Sequence, residues 1–516
     1  MAVCLSLTAS TIREDLELVR ANSAWINMVE LRADFLNPTE RDEAASFPAR
    51  LAEVAPGVET ILAFRRREDG GRADCSESDR RRVLVGALEG GFSYIDLEDD
   101  VYDESPAPAI LRAVETGKTR LIRSRHDFGG IPDAIVPTML RMGRDGAVPK
   151  LAVTPADSGD LLHIFHAYEA LAGAPFVLVG MGPVGVPSRV LCLAYGASWT
   201  YASAPQAVAA APGHLSPQEL IETYRVKELS HRTALFGVVG NPVGHSRSPR
   251  FHNERFRLAG RDSVYLPFQA QSFSHFLRLA EHLGVCGLSV TLPHKESAAA
   301  VATAHDPVPP GRTDPAVAAT GACNTLLRSG DGWLGLNTDV PGFLAPLDRR
   351  GLPVRAAVVG AGGVARAAVY ALMSRGVEVL ILNRTVPRAE ALADAMRDHF
   401  GSAATAGPGR GVPGRQGGHV ESAALEREVV PRLRDFSDLI VQTTSLGMSP
   451  HEAEDPLSFY DFSGSETVYD LVYTPEETTL LARAARTGCT VISGREMFDA
   501  QAELQAAEFS TYTGRC

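Results

Sequence analysis

Residues 354–372 read VRAAVVGAGGVARAAVYAL and determine the fold of the second half of the chain. An apolar run at 356–359 leads into Gly-Ala-Gly-Gly, and an alanine-rich helical pattern follows. A nucleotide pyrophosphate requires this order of strand, glycine turn and helix start, because glycines let the backbone approach closely and a helix N-terminus offers free N–H groups. The spacing G-x-G-x-x-A places the small residue Ala365 where the helix meets the strand. The stretch therefore predicts a dinucleotide-binding domain.

A second apolar run, at 377–382, ends at Asn383-Arg384-Thr385, where the second strand of such a domain should end. Domains that bind NAD place an acidic residue there for the ribose hydroxyls. This chain has Arg384 and no carboxylate, which suits the 2′-phosphate of NADP. The sequence thus predicts a Rossmann domain with NADP as its cofactor.

The composition indicates a globular protein of several domains. A chain of 516 residues is too long for one hydrophobic core. Its net charge of -12 argues against nucleic acid or an anionic membrane as the main partner. The 7 cysteines form no C-x-x-C pair, which predicts reduced thiols in a cytoplasmic protein and no metal site. No apolar run approaches transmembrane length, and residues 1–10 lack the basic region expected of a signal peptide.

Short apolar runs alternate with helical patterns up to residue 205. Eight βα units over about 200 residues predict a small TIM-type barrel. The alternative is an open doubly wound sheet, which eight regular units disfavour. The strand candidates are residues 3–8, 27–32, 60–64, 92–96, 120–123, 148–153, 176–179 and 198–201.

Two of these runs carry charged residues with a period of two. Glu30, Arg32 and Asp34 share one face of their strand, and Asp96 and Glu98 share one face of another. An exposed sheet edge would explain one such strand. Helices cover the outside of a barrel, however, so these charges are expected to line its interior mouth and to mark a site for a polar substrate.

Lys150 lies inside the sixth apolar run, where a lysine is uncommon. It is either paired with a carboxylate or kept neutral enough to act as an amine nucleophile. His126 follows the fifth run and should lie at the same mouth, which favours the catalytic interpretation over a structural ion pair.

An ordered set of motifs within residues 1–226 resembles type I 3-dehydroquinate dehydratase. The set is E-L-R at 30–32, F-R at 64–65, S-x-H-D-F at 124–128, Lys150, M-G-x-x-G-x-x-S-R at 181–189 and S-A-P at 203–205. The resemblance implies a Schiff base between Lys150 and the C3 ketone of the substrate. It implies that His126 removes the C2 proton and helps the C1 hydroxyl leave as water. It further implies that Arg189 holds the substrate carboxylate, and that the other oxygens are bound by Ser6, Glu30, Arg32, Arg65, Ser203 and Gln206.

Two positions depart from that family's pattern. A glutamate usually stands four residues after the arginine and orients the histidine, whereas this chain has Asp69, which is one methylene shorter. The segment that usually reads S-A-P-G-Q lacks its glycine here, so closure over the substrate is expected to differ.

The second half contains two further candidate sites. Ser248 is predicted as the N-cap of a helix, and the hydroxyls of Ser246 and Ser248 beside the helix N-terminus form a fair carboxylate site. Ordinary capping explains Ser248 equally well. Lys295 lies in the first turn of another helix, where the dipole disfavours a cation. It should therefore have a lowered pKa or an acidic partner, for which Asp339 is the candidate.

Eight motifs in order across residues 235–501 resemble shikimate dehydrogenase. They are GNPVGHSRSP, VTLPHK, GACNT, GLNTD, GAGG, NRT, TSLGM and GREMFDAQ. The resemblance implies that Lys295 and Asp339 move the C3 hydroxyl proton while hydride passes between C3 and the nicotinamide. The implied substrate residues are Ser246, Ser248, Thr291, Asn324, Asp339 and Gln501, with Tyr473 adjacent. The implied cofactor residues are Gly360, Ala361, Gly362, Gly363, Val364, Ala365, Asn383, Arg384, Thr385, Arg388, Thr443, Leu471 and Gly494.

Together these observations predict an α/β protein of three domains. A TIM-type barrel should span 1–228, a substrate domain 229–345 with completion by 493–516, and a Rossmann NADP-binding domain 346–492. Residues 401–430 are interpreted as an inserted mobile loop. The predicted function is dehydration of 3-dehydroquinate followed by NADPH-dependent reduction to shikimate. The predicted partners are these small-molecule substrates, with no nucleic acid and no membrane.

Two alternatives remain open. One is a quinate/shikimate dehydrogenase working in the oxidative direction. The other is a non-catalytic ligand sensor built from the same domains. The presence of Lys150, His126, Lys295 and Asp339 disfavours the sensor, which should have lost its chemical residues.

Overall fold

The computed structural model describes residues 2–99, 107–116, 119–205, 207, 213, 215–244, 246–304, 314–330, 332–405 and 418–511. The chain divides into two compact units, Met1–Val285 and Cys286–Cys516. The three domain boundaries read from the sequence stay predictions.

Eight parallel strands open the first unit and form a nearly closed barrel. Each strand from β1 to β7 pairs with its successor, and β8 returns to pair with β1. The prediction of a TIM-type barrel is confirmed. The strands are β1 (Ala2–Leu7), β2 (Met28–Arg32), β3 (Glu59–Ala63), β4 (Tyr94–Glu98), β5 (Arg120–Asp127), β6 (Val148–Val153), β7 (Val177–Gly180) and β8 (Trp199–Ser203).

The connections between these strands carry helices. They are α1 (Ile12–Asn22), α2 (Pro38–Asp42), α3 (Phe47–Val54), α4 (Glu77–Leu88), α5 (Ala107–Glu115), α6 (Ile135–Met142), α7 (Leu161–Leu171) and α8 (Val186–Leu191). Because strand side chains alternate, one face of each strand fills the barrel interior. An apolar interior cluster includes Cys4, Met28, Tyr94 and Val148. Two positions further along the same strands stand the buried polar residues Ser6, Glu30, Asp96 and Lys150.

The first unit ends with two further strands and two helices, β9 (Ala234–Gly240), α9 (Ser248–Leu258), β10 (Ser263–Gln269) and α10 (Phe273–His282). Strands β9 and β10 are parallel. The prediction that Ser248 is the N-cap of α9 is wrong by one residue. Ser248 is the first residue of the helix, and Arg247 is the N-cap. The hydroxyl of Ser246 accepts the Ser248 backbone N–H at 3.2 Å instead.

The second unit begins with an antiparallel group of strands and three helices. They are β11 (Val285–Val290), α11 (Lys295–Ala304), α12 (Pro315–Thr320), β12 (Thr325–Ser329), β13 (Gly332–Leu336) and α13 (Asp339–Arg350). Strand β12 lies antiparallel to both β11 and β13. This arrangement sets Lys295 and Asp339 at the first positions of α11 and α13.

A six-stranded parallel sheet follows. Its elements are β14 (Arg355–Val359), α14 (Gly363–Ser374), β15 (Glu378–Asn383), α15 (Val386–Thr405), β16 (Val420–Ala424), α16 (Val430–Asp435), β17 (Leu439–Gln442), β18 (Thr467–Asp470), α17 (Thr479–Thr487), β19 (Thr490–Ser493) and α18 (Gly494–Thr511). The strand order is β16-β15-β14-β17-β18-β19, the order of a Rossmann fold. Alternate residues of β14, such as Ala357 and Val358, belong to separate apolar clusters. The predicted Rossmann fold is confirmed.

Two sequence interpretations are corrected by this structure. Residues 401–430 are not one loop, because α15 continues to Thr405 and β16 pairs with β15. The short, half-buried β16 at the sheet edge carries little apolar signal, and residues 406–417 lie outside the described part of the chain. The cysteines are not all reduced, since Cys286 is disulfide-bonded.

No helix among the described residues is long and apolar enough to cross a membrane. Within the same residues there is also no group of three or more His, Cys, Asp or Glu side chains that could hold a metal ion.

Candidate active sites

One cavity is lined by most of the side chains that were predicted for the active site of the barrel. Ser203 is buried at the end of β8 but is not part of the cavity lining, and Gln206 lies outside the described residues. Asp69, Phe128 and Tyr201 also line the cavity. The predicted residues in its wall are Ser6, Glu30, Arg32, Arg65, His126, Lys150 and Arg189.

Lys150 is held by two buried carboxylates. Its Nζ lies 2.8 Å from Glu30 Oε1 and 2.9 Å from Asp96 Oδ2. Tyr201 donates its hydroxyl to the same Glu30 oxygen at 3.1 Å, and its ring centroid lies 4.4 Å from Nζ. Burial would raise the pKa of Glu30, but the charges of Lys150 and Arg32 outweigh it and lower that pKa. The resting lysine is therefore ion-paired, and it must pass a proton to a neighbouring base before it can attack a carbonyl carbon.

Arg65 is bound within the protein rather than open to a ligand. Its guanidinium donates two hydrogen bonds of 2.9 Å to the Asp96 carboxylate and one of 2.6 Å to Ser124 Oγ. Burial lowers the pKa of Arg65, but Asp96 and Glu98 raise it well above its usual value. Burial likewise would raise the pKa of Asp96, and the charges of Arg65 and Lys150 reverse that effect. Arg65 thus shapes the site by keeping Asp96 ionised beside Lys150.

Arg80 completes this network and was missed from the sequence. It lies on α4, donates from Nε to the Phe64 carbonyl at 2.7 Å and forms an ion pair with Glu98. Arg80 belongs to a run of three arginines on a helix whose apolar and polar residues are poorly separated. The sequence therefore does not indicate that its side chain is buried. Tyr201 was missed as well, although it lies in a predicted strand, and Ser124 was quoted in the S-x-H-D-F motif without a role in the site.

His126 has an environment suited to a neutral base. Its Nδ1 is buried and has no hydrogen-bond partner among the described residues. Burial, followed by the positive charges of Arg65 and Lys150, lowers the pKa of His126 well below its ordinary value. Asp69 lines the same cavity, but its carboxylate accepts hydrogen bonds from Arg66 at 2.7 and 3.0 Å.

Arg189 is the cation in this cavity that is suited to bind an anionic ligand. It is 1% exposed, and within the described part of the chain neither Nε nor Nη1 has a hydrogen-bond partner. Burial lowers the pKa of Arg189 to about 10. Arg32, in contrast, is paired with both oxygens of Asp34 at 2.8 Å. A buried cation without a counter-ion is costly, so Arg189 suits a carboxylate ligand.

The second unit contains a buried lysine–aspartate pair. Lys295 Nζ lies 2.5 Å from Asp339 Oδ2, so the acidic partner expected from the sequence is present. Asn324 donates from Nδ2 to the other carboxylate oxygen, Oδ1, at 2.8 Å. The backbone N–H of Asp339 donates to Asn337 Oδ1 at 3.2 Å. The carboxylate is thereby fixed on both oxygens next to the amine.

The glycine turn after β14 leaves room for a phosphate group. Gly360 has φ 118°, and a Cβ there would lie 2.2 Å from Thr443 Oγ1. An added Cβ at Gly362 meets no described atom within 4 Å, and no side chain caps α14. A Cβ at Gly363 would lie 3.3 Å from Lys295 Cδ, which brings the turn next to the lysine–aspartate pair. These features fit a dinucleotide pyrophosphate at the helix N-terminus.

The ends of neighbouring strands hold the other predicted cofactor residues. Arg384 and Arg388 are exposed after β15, and neither forms an ion pair with any residue that the structure describes. Asn383 donates to the Thr385 carbonyl at 2.9 Å. A Cβ at Gly494 would lie 2.5 Å from the backbone of Leu471, so these two residues touch. Ala361, Val364 and Ala365 pack in or against the apolar cluster of this sheet.

The predicted substrate residues of the second half are spread over several elements. Ser246 and Ser248 belong to the first unit, and the others belong to the second. Thr291 directly follows β11 and accepts the His294 N–H at its carbonyl at 3.0 Å. Tyr473 packs against Phe498, with ring centroids 4.9 Å apart. Gln501 lies on α18, and a Cβ at Gly342 would be 2.7 Å from its Cβ.

Three protein-family models match the chain. Residues 3–231 match the model described as "Type I 3-dehydroquinase". Residues 238–326 match "Shikimate dehydrogenase substrate binding domain", and residues 352–404 match "Shikimate / quinate 5-dehydrogenase".

The chain is also similar to individual proteins. The chain is 29% identical over 542 residues to a chloroplastic bifunctional 3-dehydroquinate dehydratase/shikimate dehydrogenase of Arabidopsis thaliana, covering 99% of this chain and 82% of that protein. It is 39% identical over 289 residues to a shikimate dehydrogenase (NADP(+)) of Moorella thermoacetica, covering 55% of this chain and 89% of that protein. Among solved structures, dehydroquinate dehydratase and shikimate dehydrogenase from S. pombe AroM matches with 23% identity, 99% and 96% coverage and a TM-score of 0.38. The chain therefore belongs to the family of bifunctional proteins that join a type I 3-dehydroquinase to a shikimate dehydrogenase.

Proposed function

We propose that this protein catalyses two consecutive steps of the shikimate pathway. The barrel dehydrates 3-dehydroquinate to 3-dehydroshikimate, and the second module reduces that product to shikimate with NADPH. The observation that carries the proposal is the presence of two separate lysine sites, one in which Lys150 contacts Glu30 and Asp96 and one in which Lys295 contacts Asp339. Each contains a buried primary amine, paired with two carboxylates in the barrel and with one in the second module.

In the barrel, Lys150 gives up a proton to the carboxylate network and its amine attacks the C3 ketone. Loss of water from this adduct gives an iminium ion, which withdraws electrons and acidifies the C2 protons. His126, neutral because its pKa is lowered, takes a C2 proton and then returns it to the C1 hydroxyl as that group leaves as water. A second water hydrolyses the iminium and releases Lys150. The net change is the loss of one water molecule from the substrate.

Substrate orientation in the barrel follows from charge. The unpartnered guanidinium nitrogens of Arg189 take the carboxylate of 3-dehydroquinate. Arg65 keeps Asp96 in place beside the lysine, so it acts mainly through that carboxylate. Ser6, whose hydroxyl donates to Glu30 at 3.4 Å, lines the same cavity and would bind a ring oxygen of the substrate.

In the second module, NADPH, when bound, would supply the hydride for the C3 carbonyl carbon. Lys295 and Asp339 hold the proton that the carbonyl oxygen takes up as it becomes a hydroxyl. The glycines of the turn before α14 would hold the pyrophosphate, and Arg384 with Arg388 would bind the 2′-phosphate that distinguishes NADP from NAD. Ser246 and Ser248 bind the carboxylate of the substrate.

The test is incubation of the full chain with 3-dehydroquinate and NADPH, with products identified by mass spectrometry. We expect shikimate. Lys150→Met should abolish conversion of 3-dehydroquinate but leave oxidation of shikimate by NADP intact, and Lys295→Met should do the reverse. Borohydride added during turnover should attach the substrate to the peptide that contains Lys150.

Other outcomes would contradict specific parts of the proposal. Quinate as the product would favour the alternative quinate/shikimate dehydrogenase. Accumulation of dehydroshikimate without cofactor oxidation would remove the proposed roles of Lys295 and Asp339, and no product at all would favour a ligand sensor. The absence of a nucleic-acid partner and the cytoplasmic location stay predictions.

A further inference from the structure

Gln505 lies on α18 and is not used by the function proposed above. It is 2% exposed. Its side-chain amide forms hydrogen bonds with one residue of β11, one residue of β12 and the residue directly before β12. Ser289 donates to Gln505 Oε1 at 2.8 Å. Gln505 Nε2 donates to the backbone carbonyl of Asn324 at 3.1 Å and to Thr325 Oγ1 at 2.8 Å. A buried amide with this number of partners has one fixed orientation.

The chemistry of the partners fixes the direction of each hydrogen bond. The Asn324 backbone carbonyl can only accept, so the Gln505 atom that faces it must be the nitrogen. Thr325 Oγ1 accepts the second Nε2 proton, and its own proton is then available to Asn324 Oδ1 at 2.9 Å. Asn324 Oδ1 also accepts the Thr338 backbone N–H at 2.8 Å, so the Asn324 nitrogen must face Asp339 Oδ1. The result is one chain of donors directed from Gln505 to Asp339.

We propose that Gln505 is a positioning residue for the reduction, acting through Thr325 and Asn324 on the Asp339 carboxylate that binds Lys295. This inference rests on the proposed function of the second module. The hydrogen-bond chain is shielded from bulk water, because its members Gln505, Thr325, Asn324 and Asp339 are all buried. Each hydrogen bond therefore restricts the orientation of the next group. The C-terminal helix thus adds a second glutamine to the site, four residues after the predicted substrate residue Gln501.

Replacement of Gln505 by methionine keeps the volume and removes the donor. The hydroxyl proton of Thr325 then has no fixed direction, and the backbone carbonyl of Asn324 loses the hydrogen bond from Gln505. The carboxylate of Asp339 should become less well ordered during proton transfer. Because the hydrogen bonds of Gln505 reach none of the predicted cofactor residues, binding of NADP should not change.

The experiment is steady-state oxidation of shikimate by NADP with the full chain. For Gln505→Met we expect kcat to fall roughly three- to tenfold with KM for NADP unchanged. The kinetic isotope effect for shikimate deuterated at C3 should rise, because the chemical step becomes slower. Ser289→Ala is the matched control: it removes another hydrogen bond of the same amide but leaves the donor chain to Asp339 intact, so its kcat should stay at the wild-type value.

A double-mutant cycle completes the test. Thr325→Val interrupts the same chain one link later, so the double variant with Gln505→Met should be no slower than Thr325→Val alone. Dehydratase activity and the melting temperature of each preparation report whether it is folded. Unchanged kcat in Gln505→Met, an equal loss in Ser289→Ala, or additive effects in the double variant would overturn the inference while the proposed function stands. A wild-type protein that does not oxidise shikimate would overturn both.

Discussion

At the scale of single residues, the barrel site contains charges that are bound internally and charges that are open to a ligand. Arg65 and Arg32 are matched by Asp96 and Asp34 at hydrogen-bond distance. Arg189 is equally buried but lacks partners on two nitrogens among the described residues. This contrast within one cavity identifies Arg189, on α8, as the cation that a substrate anion would neutralise, in line with the role that the family resemblance implies for it.

The interior position of Asp96 and Glu98 could be predicted from their spacing. A period of two on a strand whose other face must meet helices leaves only the barrel interior for them. Arg80 and Gln505 could not be found this way, because each reaches its site from a helix and depends on the packing of that helix. The pairing of Asp69 with Arg66 was equally hidden, since sequence indicates that a carboxylate is near the histidine but not which cation binds it.

That pairing leads to a prediction about pH. In the proposed mechanism His126 acts as a base in its neutral form, and its lowered pKa keeps it neutral below the ordinary value for histidine, about 6.5. We therefore expect kcat/KM of the dehydratase to stay level as pH falls from 7.5 through 6.5, and to decline only at lower pH. Arg66→Gln releases the Asp69 carboxylate into the same cavity, which should favour the imidazolium form and move the acid limb of the profile to higher pH.

Arg67→Gln is the control for this experiment. Arg67 is the adjacent arginine, but it is mostly exposed and lies 3.6 Å from Asp74, outside the cavity. Its profile should match that of the wild type. If kcat/KM of the wild type and of Arg66→Gln declined at the same acidic pH, Asp69 would have no electrostatic effect on His126.

At the scale of elements, the β14–α14 turn uses each glycine for a different purpose. Gly360 combines a positive φ with close approach to Thr443, so it is required by the fold of the protein itself. Gly362 has φ −86° and open space where a Cβ would be. The G-x-G-x-x-A spacing predicted the turn correctly but treated both positions alike.

This difference predicts opposite consequences of the same substitution. Gly360→Ala should lower the melting temperature, because its Cβ strikes Thr443 and the backbone there is unfavourable for alanine. Gly362→Ala should leave the melting temperature unchanged but raise KM for NADPH, because the added methyl occupies the space that the pyrophosphate needs. Thermal unfolding and NADPH titration of both variants give the answer. Loss of stability in Gly362→Ala with normal cofactor binding would refute the assignment of this turn.

At the scale of the whole molecule, the described residues of the dehydratase site all lie within the barrel strands and their connections, before residue 204. Its lysine, histidine and arginine need no residue from the second unit for the chemistry proposed here. The fusion of two modules therefore requires only that 3-dehydroshikimate leave one site and enter the other. Fold class and module order could be predicted from sequence because both rest on repeated patterns and ordered motifs, whereas no motif around Cys286 indicates that it is disulfide-bonded.

Mixing two inactive variants tests whether the intermediate is released. Lys150→Met retains the reductase site and Lys295→Met retains the dehydratase site, so neither should convert 3-dehydroquinate to shikimate alone. An equimolar mixture should produce shikimate after a lag, at a rate that rises with the concentration of the Lys150→Met partner, because dehydroshikimate must diffuse between molecules. Wild-type protein should show a similar lag when assayed at the same site concentrations. A wild-type reaction without a lag, unaffected by added unlabelled dehydroshikimate, would contradict release and would indicate direct transfer within one chain.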